Sequence, residues 1–247
     1  MNQFISLPPT APRLARRLLM LAFALVLLCG DVVMAGSSPK LYVFVPSAQK
    51  TRTVQKALRS SLSNLDVTVF GKSRDFEQAI SRRRPAAVMA LGPQLRALSL
   101  STKLKSVRGG KAEEPYVLVT VDHAIKPSAL GGETVGALGI LNRSGMKSFC
   151  GKLLGTGTQR VKTVTKYEDL LPLLQFKSAK GVVLPKRLAG LLTKRSQLNL
   201  VVRDIPGGMV GLPAVAVLDG GAGAKVIGAV RRMNKTSKDF LGVEGWR

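Results

Sequence analysis

The residues best suited to chemistry lie where a hydroxyl and a cation follow an apolar run. After "LYVFV" the chain reads Pro46-Ser47-Ala48-Gln49-Lys50-Thr51, and after "GALGIL" it reads Asn142-Arg143-Ser144-Gly145. Each stretch stands between a strand-like run and a helix-like one, so each is placed to open a helix. The first turn of a helix carries unpaired backbone N–H groups and a partial positive charge. Hydroxyls, a cation and a glycine at that point let an oxyanion approach closely. The expected ligand-binding residues are therefore Ser47, Lys50, Thr51, Asn142, Arg143, Ser144 and Gly145, with Ser47 and Ser144 as hydroxyl donors and Arg143 or Lys50 as the charge. Gly71-Lys72-Ser73 and Thr165-Lys166-Tyr167 occupy equivalent turns, which adds Ser73, Lys166 and Tyr167. Serine and asparagine also cap helices with no ligand present, so a plain capping role stands beside the binding one.

Other chemistries find few candidates. The single histidine, His123, follows Asp122, but no G-x-S-x-G elbow occurs and no histidine pair stands at metal spacing. Only 14 acidic residues are present, which leaves little for acid–base work. Gly71-Lys72-Ser73 suggests a nucleotide loop, yet the position of its first glycine is Asp66 and the residues between form the strand-like "VTVF". The reading is of a binding protein, not an enzyme, with no catalytic residues, no metal and no cofactor.

The elements that position these residues alternate. "LYVFVPS" and "DVTVFG" read as strands, and between them Val54, Leu58, Leu62 and Leu65 form a helical stripe. "SRDFEQAISRRR" reads as a helix with Ser73 as N-cap, "AAVMALGP" as a strand, "QLRALSLSTKL" as a helix and "PYVLVTVD" as a strand. After the loop "HAIKPSALGGE" the pattern restarts with "TVGALGIL", "RVKTVT", "KGVVLP" and "LNLVVRDI" as strands. Between them come helices beginning at "NRSG", "KYEDLLP" and "KRLAG". "GLPAVAVLD" and "GAKVIGAVRRM" add a last strand and helix. Near-continuous apolar strands alternating with helices mark an α/β fold with mainly parallel sheets covered on both faces. Right-handed crossovers then gather the strand-to-helix loops at one edge, where such sheets bind ligands.

The N-terminus reads as an export signal. Arg13, Arg16 and Arg17 precede the apolar run Leu18–Leu28, which is too short to span a bilayer, and Val33-Met34-Ala35 suits cleavage after Ala35. A lipid anchor at Cys29 is disfavoured by the bulky Leu28. The protein is expected in the periplasm or secreted. Beyond residue 35 only Cys150 remains, so no internal disulfide forms, and its thiol reads as a small buried apolar group. The formal net charge of +24 draws the chain toward anions, including an anionic membrane surface. It lacks the zinc-finger spacing, basic zipper or aromatic platform of a specific nucleic-acid binder.

On "YVFVPS", "ETVGALGILNRSGMKSF", "KGVVLP" and "LPAVAVLDGGAGAKVIGAV" the chain, from about Pro39 to Arg247, resembles the periplasmic solute-binding proteins of ABC importers, nearest to the phosphate/phosphonate-type group. The resemblance implies two lobes joined by two crossover segments, closing on a small, anionic solute and delivering it to an importer's membrane permease. It divides the chain into a signal peptide (1–35), lobe one (36–122 plus 219–247) and lobe two (123–218), with Val119–Asp122 and Ala214–Asp219 as hinge strands. Scarce aromatics, with Tyr42, Tyr116, Tyr167 and Trp246 the only tyrosines and tryptophan, argue against a sugar. An orphan domain that uses a basic surface to hold polyanions or membrane headgroups is the alternative function.

Overall fold

The computed structural model describes residues 38–157 and 160–247. The expected signal segment, its cleavage point at Ala35 and Cys29 lie outside the described residues. In chain order the elements begin with β1 (Lys40–Phe44), α1 (Thr51–Ser61), β2 (Asp66–Val69), α2 (Ser73–Arg82), β3 (Ala87–Leu91), α3 (Gly92–Ala97) and β4 (Thr102–Val107). They continue with β5 (Glu113–Val121), β6 (Thr134–Leu138), α4 (Arg143–Leu154), β7 (Arg160–Val164), α5 (Leu170–Gln175), β8 (Gly181–Pro185), α6 (Lys186–Arg195) and β9 (Leu200–Gly211). The described chain ends with β10 (Pro213–Val217), α7 (Gly220–Arg231), α8 (Lys235–Leu241) and β11 (Gly245–Trp246).

The strands form two sheets, ordered β11-β4-β10-β3-β1-β2 and β7-β6-β8-β5-β9. β1 pairs in parallel with β2 and β3, and β6 with β7 and β8. β10 runs against β3 and β4, and β5 against β8 and β9, so each sheet carries one reversed central strand. Alternate side chains of a strand point to opposite faces. Leu41 and Val43 therefore pack under Val54, Leu58 and Val226 of α1 and α7, while Tyr42 and Phe44 turn to Phe76 and Leu95 of α2 and α3. That second cluster runs on through Val117, Val119 and Leu184 of the other sheet and Leu188 of α6, so the two lobes share a continuous core. Val54, Leu58, Leu62 and Leu65 are all buried, but only Val54 and Leu58 lie on α1, which ends at Ser61; Leu62 caps it and Leu65 packs from the turn beyond.

Three expectations are corrected. "LSLSTKL" is not helical: α3 stops at Ala97, Ser99 adopts φ 55°, and Thr102–Val107 forms β4. Lys103 and Lys105 point to solvent there while Leu104 and Ser106 point inward, a period-two pattern that the preceding leucines obscured. The lobe boundaries also move. β5 lies wholly in the second sheet and β10 in the first, so the crossovers are 108–112 and 212, not the strands ending at 122 and 218. Val119 and Ala214–Ala216 are paired on both sides, and Thr120, Val121 and Val217 on one, which suits a sheet interior and not a hinge. The real crossovers bond to each other, with Leu212 N donating to Ala112 O at 2.9 Å. Finally, Ser73 is the first residue of α2 and not its cap; Lys72 holds the cap position.

Candidate functional site

β1, β2, β6 and β7 all end at one place, and the residues that follow them enclose a cavity of about 460 Å³. Lobe one contributes Pro46–Thr51 and Phe70–Gly71; lobe two contributes Leu138–Ile140, Thr165, Lys166, Glu168 and Asp169. The floor is apolar, with Phe44, Val69 and Val54 beneath the loops. A volume in this range accommodates a small polar solute. Gly71 faces Thr51 closely: a Cβ there would stand 3.1 Å from the threonine hydroxyl, so a side chain would crowd the entrance to α1.

Of the expected residues, Ser47, Lys50, Thr51 and Lys166 line this cavity. Lys50 holds the N-cap position of α1 and Thr51 its first turn, both exposed. The Ser47 hydroxyl is engaged inside lobe one, donating to Phe240 O at 3.0 Å and accepting from Gln49 N at 3.1 Å. It shapes the loop and has no proton left to donate to a solute. Asn142, Arg143, Ser144 and Gly145 are not brought to the cavity. Asn142 caps α4, its Oδ1 accepting from Gly145 N at 2.9 Å and from Ser144 Oγ at 3.0 Å. Ser144 opens instead onto a shallow depression shared with Lys147 and Gly155 of the same helix region. Ser73 is buried at the start of α2, and Tyr167 is buried beneath Arg195, whose guanidinium carbon stands 5.7 Å from the ring centroid. Neither lines the cavity. Sequence reasoning missed Glu168 and Asp169, although they lie only a few residues past the end of β7 at Val164, next to the expected Lys166 and Tyr167.

The charge at the cavity is positive. Arg195 donates to Glu168 at 3.0 Å and neutralises it, which leaves Lys50 and Lys166 against Asp169. Behind the cavity, the lobes are tied by one guanidinium. Arg187, at the start of α6, donates Nε to Glu114 Oε2 at 2.9 Å and Nη2 to Pro46 O at 3.2 Å. Its side chain and that of Glu114 are 15% and 6% exposed, so the ion pair is buried. Burial pushes the Glu114 carboxyl above its ordinary value, against the pull of Arg187 and, more weakly, Arg108. Glu114 Oε1 and the Tyr116 hydroxyl have no hydrogen-bond partner, and burial first, then the Glu114 charge, raise the tyrosine. Gly242, at φ 72°, lies against the same guanidinium; a Cβ there would stand 2.8 Å from Cζ of Arg187. The loop 46–51 is thus held from behind by Arg187 and by Phe240.

His123 is exposed on the turn after β5, next to Asp122 at φ 64°, and its backbone carbonyl accepts from Thr120 Oγ1 at 2.6 Å. It stands apart from the cavity lining. Cys150 is fully buried on α4, and burial pushes its thiol up to about 12.

No family model matches the chain, and no curated protein is similar to it in sequence. Solved structures do match in fold. The substrate-binding protein of an amino acid ABC transporter is 13% identical at a TM-score of 0.55, over 82% of this chain and 96% of that one. Arginine-bound ArgBP from T. maritima is 13% identical at 0.54, over 78% and 95%. XAC2383 from Xanthomonas citri, bound to chloride, is 13% identical at 0.52, over 85% and 91%. At this identity the likeness is one of architecture, and that architecture is the two-lobed, periplasmic-binding-protein-like fold.

Proposed function

We propose that the chain is an exported solute-binding protein that takes a small solute with an anionic group into the cavity between its lobes, for delivery to an ABC importer. The observation that carries this reading is the cavity itself, built from two strand-to-helix loops of each lobe and carrying Lys50 and Lys166 against the single unpaired Asp169. A phosphate, phosphonate or carboxylate would sit between the two lysines and the first turn of α1, where the helix adds its own partial positive charge. The rest of the solute would lie over Phe44, Phe70 and Ile140. Asp169 suits a cationic substituent, so an amino acid or aminophosphonate satisfies more of the lining than bare phosphate does. Neighbours in fold have been solved bound to arginine, to chloride and to ATP, which is consistent with a charged ligand. Closing the lobes would bring Lys166 toward Lys50 and exclude water, strengthening both contacts.

The test is a thermal-shift series at fixed ionic strength with phosphate, phosphonates, sulfate and the amino acids, on wild type, Lys50→Ala and Lys166→Ala. One compound raising Tm by several degrees, with the shift lost in both variants, supports the reading and names the solute class. Equal small shifts for every anion that vanish in moderate salt, or a shift unchanged in both variants, sinks it.

A further inference from the structure

The positive charge is divided unequally between the lobes. In lobe one, taken from its sheet as 38–112 and 212–247, Lys and Arg number 21 against 6 Asp and Glu; in lobe two, 113–211, they number 14 against 7. All three ion pairs among the described residues, Lys186–Asp204, Arg187–Glu114 and Arg195–Glu168, belong to lobe two. Among the described residues, no cation of lobe one stands within ion-pair distance of a carboxylate.

Strand register collects several of them at the edge of the first sheet opposite the cavity. β1 begins with Lys40 opposite Asp66, and Ala86 N bonds to Lys40 O, so Arg82, Arg83 and Arg84 at the end of α2 lie at the same edge as Lys40. Val217 pairs with Ala87 and Ala216 with Thr102, which brings Lys103 to that edge across the reversed strand β10. Arg82, Arg83, Arg84 and Lys103 are exposed, and Lys40 is partly so. Two carboxylates stand at this edge. They are Asp219, which caps α7 by accepting from Gly221 N and Ala222 N, and Asp66, the register partner of Lys40, so among the described residues the edge keeps five cations against two carboxylates.

We infer that this edge is a docking surface for an anionic membrane, with Arg82, Arg83, Arg84, Lys40 and Lys103 on phospholipid phosphates. Guanidinium groups meet phosphate oxygens with two parallel hydrogen bonds. An anionic leaflet attracts such a cluster within a Debye length. No helix among the described residues is long and apolar enough to cross a membrane, so this contact is peripheral. The cavity loops stand at the other ends of the same strands, so a docked protein keeps its cavity open to water. Nucleic acid fits the edge less well, because no aromatic side chain of lobe one is exposed for stacking on bases.

The test is co-sedimentation of the full chain with vesicles of phosphatidylcholine mixed with phosphatidylglycerol, and of phosphatidylcholine alone. The difference between the two isolates the charge contribution from any insertion by the apolar run. Arg82→Gln/Arg83→Gln/Arg84→Gln should weaken binding to the anionic vesicles by about tenfold or more. Lys40→Gln/Lys103→Gln should act in the same direction. Lys147→Gln/Lys152→Gln/Lys162→Gln, three exposed cations of lobe two, should change it little. An equal loss in the lobe-two triple, or equal binding to neutral vesicles, would show diffuse charge and overturn the inference. Tighter binding to duplex DNA than to the anionic vesicles, weakened by the same arginines, would also overturn it. The readout uses no solute, so its outcome is independent of the binding role proposed for the cavity.

Discussion

Replacing Arg187 by methionine should make the stability of this protein depend on pH in a defined direction. The substitution leaves Glu114 6% exposed with its counter-charge gone, and one of its oxygens already lacks a partner. Burial holds the carboxyl above the ordinary 4.5, and Arg187 supplies the two largest opposing effects, by charge and by hydrogen bond. Without Arg187 the folded-state pKa moves further up. A carboxyl whose folded pKa exceeds its unfolded one binds more protons in the native state. Its contribution is therefore fully present below the unfolded pKa and is lost as pH rises through the folded one. Removing one partner of a buried pair costs about 3–5 kcal/mol when the survivor stays charged. Much of that loss should be felt at pH 8 and little of it near pH 4.5. Urea unfolding of wild type, Arg187→Met, Glu114→Gln and the double variant at both pH values gives the assay. The double variant should recover most of the loss at pH 8, because nothing charged is left buried. A loss equal at both pH values, or a double variant as weak as Arg187→Met, would refute the reasoning and reduce the pair to side-chain packing.

Four further outcomes follow from the same geometry. Gly242→Ala places a side chain at φ 72° against the Arg187 guanidinium and should cost more than the roughly 1–2 kcal/mol of the backbone alone; in an Arg187→Met background the two losses should be less than additive by urea unfolding. Leu58→Ala empties a fully buried position under the first sheet and should cost about 2–5 kcal/mol by the same measurement. Asn142→Ala removes the cap of α4 and should cost about 1 kcal/mol, while leaving any solute-induced thermal shift unchanged because the residue stands outside the cavity. Cys150, buried with its thiol pushed up to about 12, should resist an aromatic disulfide reagent at pH 8 in the native protein and react at once in urea.

How much of this was legible in the sequence depended on whether the signal was local. The alternation of apolar strands with helices is a local signal, and the α/β fold and the burial of Val54, Leu58, Leu62 and Leu65 followed from it directly. The crossovers were not local. "PYVLVTVD" and "PAVAVLD" look like any buried strand, and only their antiparallel partners, roughly seventy and a hundred and twenty residues away, reveal that each is the reversed member of the other lobe's sheet. β4 was hidden for a different reason: its two inward positions include Ser106, whose hydroxyl bonds to Pro213 O, so its apolar alternation rests on Leu104 alone.

The site divided along the same line. The expectation that strand-to-helix turns carry the site follows from chain direction, and on that ground Lys50, Thr51 and Lys166 were expected at the place where they line the cavity. Which turns meet across the cleft is set by strand order, and order is a property of the whole sheet. In lobe two β6 sits between β7 and β8, and the chain after β6 lines the cavity only through Gly139 and Ile140 before Asn142 turns away to cap α4. An asparagine at a helix start is equally good chemistry for a cap and for an anion, and sequence alone weighs the two the same. What separates them is the hydrogen bond that Asn142 already makes to Gly145 N. The same test bears on Ser47, whose proton is committed to Phe240 O. Lys50 and Lys166, exposed and making no ion pair among the described residues, keep their ammonium groups free for a solute in a way the committed Ser47 hydroxyl does not.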